Sequence, residues 1–249
     1  MGKVTPDQII LALDVDTADE ALSWARRVKG RVGTCKVGLQ LYLRDGPTVL
    51  RGLASIGMPV FLDLKFHDIP NTVAQAVAAV VAWKPRFLTL HASGGREMME
   101  AALTQAPKET CLLGVTVLTS LSEKAVEEIG WGGSASSSVE RLSGLAKAAG
   151  LGGVVCSPHE AKVERARWGR GEVVTPGVRP SGTVKGDQSR VLSPEEAIRA
   201  GASRIVVGRP VLQAAQPELM LDQMLAGEDV NGVTSKTAGQ GKGRGRPGR

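Results

Sequence analysis

The sequence predicts a single-domain (β/α)8 TIM barrel on three observations. Eight short runs rich in Leu and β-branched residues recur at 9–15, 33–37, 59–65, 86–91, 111–117, 152–156, 172–175 and 204–207. Longer amphipathic stretches alternate with them, which implies strands paired in parallel through helical crossovers. The length, 249 residues, is that of one such barrel. An open doubly wound sheet uses the same alternation and is the architectural alternative.

The elements follow in order. IILALDV at 9–15 is a buried strand, and Asp16 or Thr17 can cap a helix over 18–29. The strands at 33–37 and 59–65 are interrupted by charge near their C-terminal ends. Asn71 is a candidate cap for a helix over 72–83, and RFLTLH at 86–91 leads to a helix over 96–105. A helix over 138–149 precedes the sixth strand. Ser193 before Pro194 opens a helix over 194–200, because Ser caps well and Pro suits the first helical position. The last strand, 204–207, is followed by a helix over 211–225. The barrel is expected to occupy residues 1–226. The tail at 227–249, rich in Gly and Lys/Arg, has too little apolar content to repay its ordering entropy and is expected to be disordered.

Charge and cysteine usage narrow the function. Of the formal +6, the tail contributes five basic and two acidic residues, leaving +3 elsewhere. An excess of that size suits a small phosphorylated substrate and does not call for nucleic acid, so GKGRGRPGR is read as a solvated extension. Cys35, Cys111 and Cys156 stand singly in apolar runs and are expected to be reduced core residues. The longest apolar stretch, 76–83, is too short to span a bilayer, and the first residues lack the charged and apolar regions of a signal peptide. The expectation is a cytoplasmic protein.

The chemistry is concentrated in FLDLKFHDIPNT at 61–72, where Asp63, Lys65 and Asp68 form Asp-x-Lys-x-x-Asp. Strand alternation puts Asp63 and Lys65 on the inner face and Leu62 and Leu64 against the helices. The same parity groups Asp14 with Ile10 and Ala12, and Lys36 with Thr34. All four charges lie near the C-terminal strand ends, the face on which barrel enzymes carry their sites. A salt bridge that merely fixes register is the alternative, but burying four charges costs more than register requires. Gly208 and Arg209 end the eighth strand where barrels often bind phosphate. Arg179 and Gln188 flank a polar, Gly-containing stretch suited to a closing loop. His67 and His91 lack the companions in sequence that a zinc site requires and are read as hydrogen-bonded supports. No Gly-x-Gly-x-x-Gly follows a strand and no Gly-x4-Gly-Lys-Ser/Thr occurs, so the reading invokes no nucleotide cofactor.

The string at 61–72, together with LALD, CKVG, HASGG, VTVLTS, VTPGVRP, GDQSR and VVGRP in the same order, resembles the orotidine 5'-phosphate decarboxylase family, which makes UMP from OMP. The resemblance runs from about residue 9 to 225. It implies a cofactor-free and metal-free decarboxylase with Lys65 as proton donor, and a homodimer in which Asp68 reaches the partner's site. It further implies that Asp14 and Lys36 contact the ribose and complete the charged network with Asp63, and that Asn71 and Thr72 also reach the ribose. Thr119 is implied at the pyrimidine, Arg179 and Gln188 at phosphate and base, and Pro176, Gly208 and Arg209 in the substrate site. A metal-dependent sugar-phosphate decarboxylase or aldolase of the same barrel superfamily shares Asp-x-Lys-x-x-Asp, and a catalytically dead nucleotide sensor is the non-enzyme alternative.

Overall fold

The computed structural model describes residues 3–179 and 192–227. Eight parallel strands, β1 (Ile9–Ala12), β2 (Thr34–Gly38), β3 (Val60–Phe66), β4 (Phe87–His91), β5 (Cys111–Val115), β6 (Gly153–Val155), β7 (Glu172–Thr175) and β8 (Arg204–Val207), pair in sequence order. β8 returns to β1, with Ile9 opposite Ile205, and closes the barrel. That pairing excludes the open doubly wound sheet. The helices are α1 (Ala18–Arg27), α2 (Leu39–Ile56), α3 (Pro70–Val81), α4 (Arg96–Gln105), α5 (Glu123–Glu128), α6 (Ala135–Ala148), α7 (Ala161–Trp168), α8 (Pro194–Ala200), α9 (Arg209–Leu212) and α10 (Pro217–Ala226). None among the described residues is long and apolar enough to cross a membrane.

Alternation along the strands divides the core in two. Ile10, Ala12, Phe61, Phe87, Leu113, Val174 and Val206 fill the barrel, where Phe61 and Phe87 meet edge to face with centroids 5.8 Å apart. Leu11, Leu62, Leu64 and Leu88 point the other way and pack under the helices. Both strand faces are therefore buried, which is why the strands read as nearly continuous apolar runs. The thiols of Cys35, Cys111 and Cys156 are free, and burial pushes those of Cys35 and Cys111 up to about 12.

Local chemistry sets the element boundaries. Thr17 caps α1 by accepting from the Glu20 amide, and Ser193 with Glu196 forms a capping box at α8. Asn71 is not a cap. α3 opens at Pro70, which has a preset φ and no N–H to satisfy, so Asn71 and Thr72 fall in the first turn. The helix expected over 211–225 is two helices, because Pro217 cannot continue the first and starts the second. α2 is kinked at Asp45 (φ −156°, ψ 32°), just before Gly46 and Pro47. The tail from 228 and residues 180–191, including Gln188, lie outside the described residues.

At the N-terminal end of the barrel, charge closes the floor. The Asp7 carboxylate receives Arg86 at 2.6 Å and Arg204 at 2.6 Å, and Arg204 also forks onto Glu172 at 3.1 and 3.2 Å. Both guanidinium groups lie over the Phe87 ring, at 5.2 and 5.4 Å from its centroid.

Candidate active site at the barrel mouth

At the opposite end, the charged residues of the first three strands meet. Lys36 on β2 lies 3.5 Å from Asp14 Oδ1 and 3.4 Å from Asp63 Oδ2, and Lys65 Nζ lies 2.7 Å from Asp63 Oδ1. Acid and base thus alternate in one chain, Asp14–Lys36–Asp63–Lys65. Asp63 is the most enclosed carboxylate of the set, its side chain 14% exposed against 56% for Asp14. Burial opposes ionisation of Asp63. The Lys36 and Lys65 charges, with hydrogen bonds from Lys65 and Thr89, outweigh that penalty and hold its carboxyl below the ordinary carboxylate value.

The backbone is irregular where this network is densest. The β3–β4 register passes from Leu62 opposite Leu88 to Phe66 opposite Leu90, so β3 bulges across Asp63–Lys65. Lys65 sits at φ +50°, a left-handed conformation that costs a non-glycine residue about 1 kcal/mol or more. Thr89, fully buried on β4, spans the bulge: it accepts the Lys65 amide at 3.0 Å and donates to Asp63 Oδ1 at 3.0 Å. Neither the bulge nor Thr89 was foreseen from the sequence. The one available signal was a polar residue at an inward position of FLTLH.

Open space faces the network. A cavity of about 170 Å³ is lined by Lys36, Asp63, Lys65, Thr119, Pro176 and Val206 among others. A second of about 170 Å³ shares Lys36, Asp63 and Lys65 and adds Asp14. Gly208, at the end of β8, belongs to the same mouth: a Cβ there would lie 3.3 Å from Ala12 Cβ and 3.5 Å from Asp14 Oδ2. Arg209 follows as the first residue of α9. The Arg179 amide donates to the Leu192 carbonyl at 3.1 Å.

Other sequence candidates lie outside the network. Asp68, Asn71 and Thr72 are exposed beyond the end of β3. The Asp68 carboxylate accepts the Ile69 amide at 2.6 Å and forms no ion pair with Lys65 among the described residues. His67 and His91 differ from their expected role. The neighbouring ends of β3 and β4 bring the rings together at 5.3 Å, and no hydrogen bond among the described residues uses either ring. Burial, the adjoining His67 and Lys65 lower the pKa of His91. No third His, Cys, Asp or Glu joins them in a metal-holding group among the described residues.

The profile of the orotidine 5'-phosphate decarboxylase / HUMPS family matches residues 7–224, from the floor through the last helix. The chain belongs to that family. It is 49% identical over 222 residues to the orotidine 5'-phosphate decarboxylase of Anaeromyxobacter dehalogenans, covering 89% of this chain and 98% of that one. To the enzyme of the same name from Thermobifida fusca it is 48% identical over 211 residues, 84% of this chain and 90% of the other. Among solved structures, orotidine 5'-phosphate decarboxylase from Lactobacillus acidophilus superposes with a TM-score of 0.73 at 33% identity, over 88% of this chain and 97% of that one. An uncharacterized conserved protein from Geobacillus kaustophilus gives 0.75 at 34%, over 88% and 98%.

Proposed function

We propose that this chain removes CO2 from orotidine 5'-phosphate to give UMP, with the alternating Asp–Lys chain as its reaction centre. By family the protein is a carboxy-lyase of pyrimidine biosynthesis. The division of labour is read from the mouth, and one observation carries it: the Lys65 ammonium 2.7 Å from an enclosed, ionised Asp63.

A substrate carboxylate seated beside Asp63 meets a like charge. At about 4 Å and an effective dielectric near 20, the repulsion is roughly 4 kcal/mol. Departure of CO2 relieves it, and each 1.36 kcal/mol relieved only at the transition state is worth about tenfold in rate. The C–C bond breaks and leaves its electron pair on the ring carbon. The Lys65 cation stabilises that carbanion and then gives it a proton, and neutral Lys65 regains a proton from solvent. Lys36, between Asp14 and Asp63, keeps the two carboxylates compatible. The Gly208–Arg209 turn, Arg179 and Gln188 are assigned to phosphate and base, so that binding energy far from the reacting carbon holds the carboxylate against Asp63.

We further assign Asp68 to the neighbouring site of a homodimer. Its exposed position, with no ion pair to its own Lys65 among the described residues and next to the 66%-exposed Ile69, supports this. The barrel is assigned to 1–226, with the tail at 227–249 dispensable to activity.

Purified protein mixed with OMP in excess chelator, followed by the change in pyrimidine absorbance, tests the reading. Turnover is expected. Activity that appears only with added divalent metal would favour the sugar-phosphate branch, and tight UMP binding without turnover would favour a sensor.

A further inference from the structure

We propose that Thr89 is a positioning residue for the reaction centre, its hydroxyl coupling the Asp63 carboxylate to the strained backbone of Lys65. The proposal rests on the decarboxylase reading and deepens it. Thr89 is fully buried in the middle of β4. Its polarity is fixed by its neighbours, since an amide N–H can only donate and a carboxylate can only accept. The single hydroxyl proton is therefore committed to Asp63 Oδ1 at 3.0 Å, while a lone pair takes the Lys65 N–H at 3.0 Å. The same Oδ1 receives the Lys65 ammonium at 2.7 Å, so carboxylate, side chain and backbone of the 63–65 segment converge on one atom and one hydroxyl.

The bulge explains why such a bridge is needed. With the register displaced between Leu62 and Phe66, Lys65 has no paired residue on β4. An unpaired amide in this enclosed place would favour relaxation of the φ +50° turn, and the Lys65 side chain would then leave Asp63. Thr89 supplies the missing acceptor from the adjacent strand. It also keeps Asp63 in the orientation that Lys65 and the incoming carboxylate require, which is the part of catalysis that misplacement by a fraction of an ångström degrades.

The test compares Thr89→Val, isosteric without a hydroxyl, with Thr89→Ser, which keeps it. Three readouts are taken: kcat for OMP, UMP affinity, and titration of the Asp63 carboxyl followed by 13C NMR. Thr89→Val is expected to lower kcat about 10- to 100-fold, the range for losing a hydrogen bond to a charged group. UMP affinity should change by less than about threefold, because UMP lacks the reacting carboxylate. The Asp63 titration should move up in pH in the Val variant and return in the Ser variant along with kcat. Should the Val variant not fold, Thr89→Cys, whose thiol is too weak to serve both bonds, carries the same expectation. A Val or Cys variant with full kcat, or a Ser variant as slow as Val, would overturn the proposal. If the wild-type protein does not turn over OMP, the function reading fails on its own. The Asp63 titration then still decides the role of Thr89, and an unmoved titration in Thr89→Val would reject it.

Discussion

Both ends of this barrel carry a cluster of alternating acids and bases, yet the two are built from different cations and to different tolerances. At the floor, two arginines fork onto Asp7 and Glu172, stack over Phe87 and leave the carboxylates engaged from several directions. At the mouth, two lysines alternate with Asp14 and Asp63, two of the contacts are longer at 3.4 and 3.5 Å, and cavities of about 170 Å³ adjoin. The chemical difference is decisive. A guanidinium in a planar fork fixes geometry and does not surrender a proton, whereas an ammonium is a point charge that can. The floor is therefore arranged to hold the strands together, and the mouth to act on something placed there. Of the two non-glycine residues with left-handed φ among the described residues, Lys65 is at the mouth and Lys84 lies in the turn before β4.

Substitutions can break or sharpen this contrast. The largest effect is expected from Asp63→Asn, which keeps shape and removes charge. Loss of roughly 4 kcal/mol of repulsion in the bound complex should lower kcat about 1,000-fold and lower KM with it, measured by OMP absorbance, with melting temperature little changed. Next, Lys65→Ala and Asp68→Ala proteins should each be nearly inactive, and subunit exchange between them should restore roughly one quarter of wild-type activity. Half the dimers are then mixed and one of their two sites is native. No rescue after confirmed exchange would place Asp68 in its own subunit's site.

At the floor the signs reverse. Arg204, with its side chain 10% exposed, is the hub of Asp7 and Glu172. Arg204→Met should cost about 3 kcal/mol by denaturant melt, because two carboxylates lose their partner, while kcat/KM of the folded fraction stays near wild type. The smallest effect concerns acid. Hydrogen bonding from Arg86, opposed by burial and aided by Arg204, lowers the Asp7 carboxyl from 3.8 to about 2. A depressed folded value adds stability that is complete above the unfolded value and is lost as pH falls through the folded one. Wild-type protein should therefore lose stability between about pH 4 and pH 2 more steeply than Asp7→Asn, modestly so because Asp7 is 58% exposed and screened by solvent. Asp63 obeys the same sign rule, its protonation being displaced to lower pH than that of an ordinary carboxylate by the Lys36 and Lys65 charges and the hydrogen bonds from Lys65 and Thr89, which outweigh burial.

The two ends also differed in how far they could be read from the sequence. Mouth charges interrupt apolar runs, and a charge at an inward strand position announces itself, so Asp14, Lys36, Asp63 and Lys65 were visible as a group. The floor was not. Arg86, Glu172 and Arg204 sit at or beside strand starts, where charge is ordinary, and Asp7 precedes β1 in a short 3-10 turn. Their meeting is a property of closure. The bulge was hidden for a related reason: the left-handed residue is a lysine, so no glycine marked it. Helix α2 was obscured by its internal Asp45-Gly46-Pro47, which reads as a turn.

The central claim is that the mouth supplies the rate and the floor the stability, with Lys65 delivering the proton. Single-turnover decarboxylation of OMP by Lys65→Ala, alongside its UMP affinity and melting temperature, tests this most directly. We expect a rate at least about 10,000-fold below wild type, with UMP still bound and the fold intact. A rate within about tenfold of wild type would contradict the account.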